Sequence, residues 1–528
     1  MPAQLVAGDT ATGSPLSASG SRSVAVFATI PSAIVVGVDG QAVSVEVHVA
    51  NGLPGLSIVG LPDAACREAR DRVRAAVLAA GAEWPLKRIT INLAPSDTRK
   101  VGSGLDLPMA VGVLVASEQL DPGRVEGAAF IGELGLDGTV RAVPGVVCRV
   151  DAVTEPTVVV PLEVANEAIL LGGSRVRPVT TLAEVVGALR SDPVQWPEHD
   201  VPPPSAPPDR GADLADVRGQ PAAQYALELA AAGGHHLLMV GPPGAGKTML
   251  ASRVPGLLPD LDRTSAVEAT RIHSAAGLAV GGLVTRPPFR APHHTTTMVA
   301  LVGGGTDSLR PGELSLASGG VLFLDELGEF PPALLDALRQ PLEEGVIRVS
   351  RARFSADLPA RVLLIAAMNP CPCGEAGRPG ACQCPDGMLA RYRRRLSGPL
   401  LDRFDLRVQV ARPDVSRLLG GEPGVSTAEV ADRVAAARER ALARGVACNS
   451  MLEGAPLEDA TPLDVEATTA LTTALGTGRI SARGLSKVRR VALTVADLAG
   501  HRGPLTAFHI TTAMAMRVDV ISSRGLAA

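Results

Sequence analysis

A glycine-rich octapeptide constrains the fold of this chain more than any other feature. Residues 241–248 fit the spacing G-x-x-x-x-G-K-[ST] and follow the apolar run 236–240. A strand, a glycine-rich loop and a helix in that order form a phosphate-binding loop, whose backbone N–H groups surround a triphosphate. We expect Lys247 to reach the β- and γ-phosphates of ATP and Thr248 to bind Mg²⁺. The predicted loop consists of Gly241, Pro242, Pro243, Gly244, Ala245, Gly246, Lys247 and Thr248.

The alternative is an accidental match, because the chain contains 56 glycines in 528 residues. However, the lysine–threonine pair and the preceding apolar run are independent requirements, and the sequence meets both. We therefore predict nucleotide chemistry.

Composition limits the class of protein. A chain of 528 residues is too long for one hydrophobic core and predicts about three domains. The net charge of −4 gives no overall attraction for nucleic acid, so a DNA contact requires a local basic surface. Aromatic residues make up only 2% of the chain, which favours contacts to the DNA backbone over base stacking.

The sequence indicates a cytoplasmic protein without a membrane partner. The apolar stretch 24–38 is interrupted by Pro31 and follows no charged segment, so it resembles neither a membrane span nor a signal peptide. The seven cysteines suit a reducing compartment, and four of them are clustered as metal ligands are.

Changes of pattern along the chain predict its organisation. The density of proline in 191–212 predicts an exposed linker, and the segments on either side alternate between strand-like and helix-like patterns. The expected segments are a disordered tail (1–23), an α+β domain (24–190), the linker (191–212), an α/β nucleotide-binding core (213–412) and a helical domain (413–528).

Several elements are predicted from periodicity and capping residues. Residues 43–49 alternate with period two, as a half-buried strand does, and Ser426 with Glu429 forms a capping-box pattern. The predicted strands are 36–38, 43–49 and 89–93, and the predicted helices are 63–80, 105–117, 426–444 and 484–500.

A second acidic strand is needed to complete a nucleotide site. The apolar run 321–324 ends in Asp325 and Glu326. We expect Asp325 to hold Mg²⁺ and Glu326 to orient or deprotonate the attacking water. A surface turn is the alternative interpretation of these two carboxylates.

Two further polar residues are candidates for the same site. The apolar run 362–368 ends at Asn369, which suits a contact to water or to the γ-phosphate, although asparagine before proline also starts turns. Arg403 lies in the segment Leu-Leu-Asp-Arg-Phe-Asp. It suits either a structural ion pair or an arginine finger that reaches the γ-phosphate of a neighbouring subunit.

The order of these motifs resembles that of AAA+ ATPases, in particular the magnesium-chelatase and MCM branch. Three further segments are similar to the ComM/YifB family of magnesium-chelatase-like competence ATPases. They are Phe-Arg-Ala-Pro-His-His (289–294), Ala-Leu-Val-Gly-Gly-Gly (300–305) and Pro-Gly-Glu-Leu-Ser-Leu-Ala (311–317). The resemblance implies an α/β fold with an AAA+ P-loop core, a C-terminal helical lid and an N-terminal α+β domain like that of Lon protease.

The resemblance also implies roles for individual residues. It assigns Lys247 and Thr248 to the Walker A motif, Asp325 and Glu326 to the Walker B motif, and Asn369 to sensor 1. Arg403 becomes the arginine finger that acts in trans, and Arg483 becomes the sensor 2 arginine on the lid. Such ATPases form hexameric rings, and related ComM proteins drive branch migration of DNA during uptake and recombination.

The N-terminal domain departs from the Lon pattern. Lon-type proteases use a serine activated by a lysine. Ser103 is displaced by one residue from the expected position, and the lysine position falls near Val147, where the chain has no lysine. We therefore expect no peptidase activity and a role in guiding substrate or stabilising the ring.

Four cysteines form two C-x-C pairs in one short segment. Four thiolates complete a tetrahedral zinc site, although C-x-x-C is the more usual spacing. We favour structural zinc over four unligated thiols. The residues are Cys371, Cys373, Cys382 and Cys384.

The basic run 391–395 follows the cysteines directly. It suits contact with DNA phosphates and support of a subunit interface equally well. His293 and His294 suggest a metal, but adjacent histidines in a strand would point to opposite faces, so they are interpreted as structural or loop residues.

These features favour an ATP-driven hexameric motor that acts on single-stranded or branched DNA. One alternative is the ATPase subunit of a magnesium chelatase. A second is a Lon-like ATP-dependent protease.

Overall fold

The computed structural model describes residues 26–96, 99–100, 102–203, 211–305, 309–351, 354–376, 381–396, 398–412 and 424–517. The tail expected at 1–23 lies outside these residues, as does part of the expected linker. Among the described residues, no helix combines the length and the apolar character needed to cross a membrane.

The first part of the chain contains two small sheets flanked by helices. One sheet has the strand order β1-β2-β4-β3, and a parallel sheet has the order β5-β8-β9. The strands are β1 (Val26–Val36), β2 (Asp39–Ala50), β3 (Gly55–Val59), β4 (Arg88–Ala94), β5 (Ala128–Phe130), β6 (Glu133–Leu134), β7 (Val140–Arg141), β8 (Thr157–Pro161) and β9 (Val176–Val179). The helices are α1 (Ala64–Ala79), α2 (Asp106–Ala116), α3 (Val146–Ala152), α4 (Ala165–Gly172) and α5 (Leu182–Arg190).

Local sequence rules explain most of these elements. The odd residues of 43–49 are buried while the others are partly exposed, which confirms the period-two strand. Asp63 caps α1 by accepting a hydrogen bond from the backbone N–H of Cys66 at 2.8 Å. Pro31 lies in β1, at the edge of its sheet, where a missing N–H is tolerated.

The strand predicted at 36–38 is wrong for Gly37 and Val38, whereas Val36 is the last residue of β1. Gly37 and Val38 form the turn between β1 and β2, and Gly37 has a φ of 67°. Glycine adopts this left-handed conformation without steric cost, so the chain reverses at Gly37.

A five-stranded sheet dominates the second part of the chain, with the strand order β11-β14-β17-β10-β18. All neighbouring pairs in this sheet are parallel. The strands are β10 (Leu237–Val240), β11 (Phe289–Arg290), β12 (Gly303–Gly304), β13 (Arg310–Pro311), β14 (Val321–Leu324), β15 (Val346–Arg351), β16 (Phe354–Pro359), β17 (Leu363–Met368) and β18 (Leu406–Gln409). The helices are α6 (Pro221–Gly233), α7 (Lys247–Ala251), α8 (Val254–Leu257), α9 (Arg263–Ala275), α10 (Met298–Val302), α11 (Glu313–Leu316), α12 (Pro332–Ala337), α13 (Arg339–Glu344), α14 (Asp386–Arg394) and α15 (Gly398–Leu401).

Helices follow this sheet from residue 427 onwards. Ser426 and Glu429 form the predicted capping box at the start of the first of them. The helices are α16 (Thr427–Ala443), α17 (Gly454–Ala460), α18 (Val465–Gly476), α19 (Ala482–Leu498) and α20 (Ala507–Ala515).

The central sheet is buried on both faces. Leu237 and Met239 of β10 belong to a core that includes residues of α6, α16 and α19, whereas Leu238 and Val240 belong to a second core on the opposite face. Strands covered on both sides are continuously apolar, which is why β10, β14 and β17 have no polar residue. Polar side chains for a functional site therefore come from the residues that directly follow these strands.

Helix α3 of the N-terminal part packs against α9 of the second part. The backbone N–H of Gly145 donates to the carbonyl oxygen of Ser274 at 2.9 Å, and the Cys148 thiol donates to the carbonyl of Arg271. Arg271 also forms an ion pair with Asp151. These contacts join the N-terminal sheets to the second part of the chain.

A buried ionic cluster connects α19 to the end of the core sheet. The Lys487 ammonium lies 2.8 Å from a carboxylate oxygen of Asp405, and His235 bonds both Asp405 and Thr494. Burial opposes ionisation of Asp405, but the His235 hydrogen bond and the Lys487 charge outweigh it and hold the pKa of this carboxyl well below its ordinary range.

Replacing Lys487 with methionine is expected to lower the free energy of unfolding at pH 7 by about 3 kcal/mol, because a buried carboxylate loses its cation. The low pKa of Asp405 stabilises the fold above its unfolded pKa of about 3.9, and this contribution is lost as pH falls below that value. The difference in the free energy of unfolding between the wild type and Lys487→Met should therefore become smaller towards pH 2, as measured by urea titration. The exposed Arg479→Met is the control, and equal midpoints for both variants would contradict the prediction.

Candidate nucleotide-binding site

Three neighbouring strands end at one edge of the central sheet. Strand β10 runs parallel to β17, and β17 runs parallel to β14. The loop 241–248 follows β10, Asp325 follows β14 and Asn369 follows β17. In open parallel sheets, ligands bind at the carboxyl ends of the strands, and the sequence-predicted residues lie at these ends.

The Lys247 side chain crosses the loop. Its ammonium donates to the carbonyl oxygens of Gly241 (2.7 Å) and Pro242 (3.0 Å) and to the side-chain oxygen of Asn369 (3.1 Å). Burial lowers the pKa of Lys247 below its ordinary value, although the charges of Asp325 and Glu326 oppose the shift. The structure thus holds a buried cation beside a strand-end amide.

Thr248 connects the loop to the acidic strand. Its hydroxyl donates to the Asp325 carboxylate at 2.6 Å. Hydroxyl and carboxylate oxygens are the ligands that Mg²⁺ prefers, so this pair fits a magnesium ion shared with a triphosphate.

Glu326 has an unusual backbone conformation, with a φ of 51°. Non-glycine residues seldom adopt this region, and those that do are often functional. One carboxylate oxygen of Glu326 lies 3.5 Å from Nδ1 of His294. His294 was not predicted to belong to the site.

The two histidines lie in the loop between β11 and α10, with ring centroids 4.0 Å apart. This position agrees with the interpretation as structural or loop residues, although the two side chains lie together rather than on opposite faces, as they would in a strand. Adjacent side chains converge here because the backbone turns between β11 and α10.

Gln220 was not predicted to support the loop. Its amide donates to the carbonyl oxygens of Ala245 at 3.0 Å and of Ala411 at 2.6 Å, at the start of α6. Gly241 lies so close to β18 that a Cβ atom would be 2.1 Å from the Val410 carbonyl oxygen. The phosphate-binding loop therefore packs against the start of α6 and against the residues that follow β18. Neither segment contains a nucleotide-binding motif that the sequence would reveal.

The two remaining arginine candidates lie elsewhere. Arg403 forms an ion pair with Glu343 of α13, and Arg483 is exposed near the start of α19. Both interpretations of Arg403, ion pair and finger, remain compatible with this position.

The four cysteines do come together. Their sulfur atoms all lie within 4.8 Å of one another, and each is a free thiol. This cluster is compatible with a zinc site.

Only Tyr392 of the basic run is buried. Its hydroxyl donates to the backbone carbonyl of Asn369 at 3.1 Å. Arg395 pairs with Glu329 at 2.8 Å, while Arg391 and Arg394 are exposed. The run therefore has an inner side that contacts the site and an outer side available to a partner.

The neighbours shown for Ser103 are a carboxylate and, close by, a buried guanidinium. Ser103 donates to the carboxylate of Glu133, and Val147 is buried in α3. A Cβ atom on Gly104 would lie 3.0 Å from the guanidinium of Arg149. Burial lowers the pKa of Arg149 to about 10, so this group stays charged at neutral pH and offers no lone pair to a serine.

Comparisons with known proteins agree with this geometry. The family described as magnesium chelatase, subunit ChlI, matches residues 213–418. Subunit ChlI of Mg-chelatase matches 45–163, and the ChlI C-terminal family matches 424–517.

Full-length relatives extend over most of the chain. An uncharacterized protein of Mycobacterium tuberculosis is 46% identical over 89% of this chain and 94% of its own length. Competence protein ComM of Haemophilus influenzae is 42% identical over 88% of this chain and 92% of its own length. The minichromosome maintenance protein MCM of Saccharolobus solfataricus is 28% identical over 26% of this chain and 17% of its own length.

The fold and the site define an ATPase core of the magnesium-chelatase type. Within that class, the chain belongs to the ComM/YifB family of magnesium-chelatase-like proteins. Membership implies ATPase activity, with ATP and Mg²⁺ as ligands.

Replacing Lys247 with methionine is expected to reduce ATP turnover by about 100-fold or more, because a buried cation beside the phosphates is lost. Turnover is measured by phosphate release at saturating Mg²⁺. The exposed Lys87→Met is the matched control and should keep wild-type turnover. Equal rates for wild type and Lys247→Met would exclude the assigned site.

Proposed function

We propose that this protein is an ATP-driven hexameric motor that remodels DNA, as a helicase or branch-migration enzyme in DNA uptake and recombination. The observation that carries the proposal is the hydrogen-bonded junction of Lys247 with Asn369 and of Thr248 with Asp325. DNA is proposed as the substrate because of two relatives, one named for competence and the other for minichromosome maintenance.

In this proposal, Lys247 and the loop N–H groups bind the triphosphate, while Thr248 and Asp325 hold Mg²⁺. Glu326 orients or deprotonates the attacking water, and His294 positions that carboxylate. The Asn369 amide, now bonded to Lys247, exchanges that bond for the γ-phosphate or the attacking water.

Arg403 is proposed to complete the active site of the neighbouring subunit. Within its own chain it pairs with Glu343, whose side chain is 63% exposed. An ion pair with so exposed a partner is weak and easily exchanged for a phosphate. We assign Arg483 to sensing the γ-phosphate from the lid formed by residues 424–517.

The role of Arg403 can be separated from that of a structural ion pair. Arg403→Ala is expected to reduce kcat by about 1,000-fold if the residue is an arginine finger. Glu343→Ala removes the ion pair but leaves the guanidinium, so it should retain turnover. Equal losses in both variants would favour the structural role.

A trans arrangement also predicts complementation. Lys247→Ala and Arg403→Ala chains, each inactive alone, should regain part of the ATPase activity when mixed. Some interfaces then combine an intact loop with an intact finger from the next subunit. If the mixture stays as inactive as its components, catalysis in trans is excluded.

DNA contact is proposed for the exposed side of α14. Arg391 and Arg394 lie one turn apart and are exposed. Helix α14 also reaches the nucleotide site through Tyr392, so a phosphate contact on its outer side is connected to ATP on its inner side.

Arg391→Ala/Arg394→Ala should weaken binding to forked DNA and lower the slope of log K against log salt by about 2. Fluorescence anisotropy over a salt series measures both. The control is Arg67→Ala/Arg70→Ala. These two arginines have the same spacing and lie on the exposed face of α1. An unchanged slope with a smaller particle in light scattering would instead assign α14 to the subunit interface.

Motor activity on DNA has its own test. Forked DNA should stimulate ATP turnover, and the wild-type protein should displace a strand in an ATP-dependent manner. An active ATPase without either effect would reject the DNA proposal while leaving the nucleotide site intact.

A magnesium chelatase subunit is the second candidate, because three ChlI families match the chain. Metallation of a porphyrin with candidate partner subunits discriminates between the two functions. A Lon-like protease is not proposed, since Ser103 bonds the Glu133 carboxylate and the position expected for the catalytic lysine is the buried Val147. The proposed ligands are ATP, Mg²⁺ and one Zn²⁺, and the proposed location is the cytoplasm.

A further inference from the structure

The four cysteines have the dimensions of a tetrahedral metal site. The sulfur–sulfur distances are 3.3 Å for Cys371–Cys373, 3.7 Å for Cys373–Cys382 and 3.8 Å for Cys382–Cys371. A Zn²⁺ ion bound by four thiolates at 2.3 Å requires sulfur atoms about 3.8 Å apart. The backbone N–H of Ala376 also donates to the Cys371 sulfur at 3.2 Å, as outer-shell donors do around thiolate ligands.

The first cysteine pair rests on the phosphate-binding loop. Gly374 follows Cys373 with a φ of 79°, and its N–H donates to the Cys371 carbonyl at 2.9 Å. A Cβ atom at Gly374 would lie 2.4 Å from Cδ of Pro243 in the loop. Only glycine fits at this position, because the positive φ disfavours other residues and a Cβ atom would overlap the Pro243 ring.

Both cysteine pairs are also tied to the end of β17. Cys371 is two residues after Asn369, the residue that bonds Lys247. Cys384 lies directly before α14, which returns to Asn369 through the Tyr392 hydroxyl. Closing the two pairs on one ion therefore fixes the loop, the strand end and α14 with respect to one another.

We infer that a zinc ion held by Cys371, Cys373, Cys382 and Cys384 braces the phosphate-binding loop through the contact between Gly374 and Pro243. The inference rests on the proposed nucleotide site and adds to it a metal and a means of positioning. The ion carries no part of the chemistry. It restricts the loop to the conformation that accepts a triphosphate.

Metal content is the first measurement. The purified wild-type protein should contain one zinc per chain by mass spectrometry of the metal, and Cys382→Ser should lose it. The control, Cys448→Ser, changes a buried cysteine outside the cluster and should keep its zinc. Iron in place of zinc, or no metal with disulfides at these cysteines, would overturn the site.

The brace is tested by a variant that keeps all four ligands. Gly374→Ala should retain its zinc but bind mant-ATP about tenfold more weakly, because the added methyl displaces the loop. Gly387→Ala is the control, since a Cβ atom there meets nothing within 4 Å. Cys382→Ser should weaken mant-ATP binding to a similar degree.

The outcomes separate this inference from the proposed function. If both Gly374→Ala and the zinc-free Cys382→Ser bound mant-ATP with wild-type affinity, the bracing role of zinc would be rejected. The proposed nucleotide site would not be affected by that result. Wild-type affinity in Lys247→Met would instead reject the nucleotide site itself. Should Cys382→Ser fail to fold, Gly374→Ala still decides the question, since its zinc ligands are unchanged.

Discussion

The hydrogen bonds that join the phosphate-binding loop to the ends of two neighbouring strands are the contacts on which the rest of the site depends. Lys247 bonds the Asn369 amide, and Thr248 bonds the Asp325 carboxylate. Both bonds are possible only because β10 lies beside β17, and β17 beside β14, in one parallel sheet. Parallel neighbours bring strand ends to the same edge, so residues more than 70 positions apart in the chain form one charged pocket.

The sheet that carries this edge is buried on both faces. The inward residues of β10 alternate between two cores, and α19 contributes to one of them. The same helix carries Lys487, whose ion pair with Asp405 lies two residues beyond Arg403. Helix α19 is therefore connected directly to the segment that contains Arg403.

The surroundings of Ser103 in the N-terminal part do not favour a serine nucleophile. Ser103 bonds a carboxylate, and the buried guanidinium of Arg149 donates to the backbone carbonyl of Ala33. An arginine in this position stabilises the packing of α3 but accepts no proton from serine. Helix α3 also packs against α9, so it contributes to the junction between the two parts of the chain.

The sequence by itself determined the phosphate-binding loop, the acidic strand end, the capped helices and the pairing of the cysteines, because each depends on residues close together in the chain. Only the tertiary structure decided that Gly37 turns rather than extends, that His294 faces Glu326, that Gln220 holds the loop and that Gly374 rests on Pro243. These contacts connect segments that are far apart in the sequence and belong to no common motif. They therefore cannot be predicted from a local sequence pattern. Their geometry follows from how the sheet and its covering helices pack, since packing places backbone and side chains from distant segments within bonding distance.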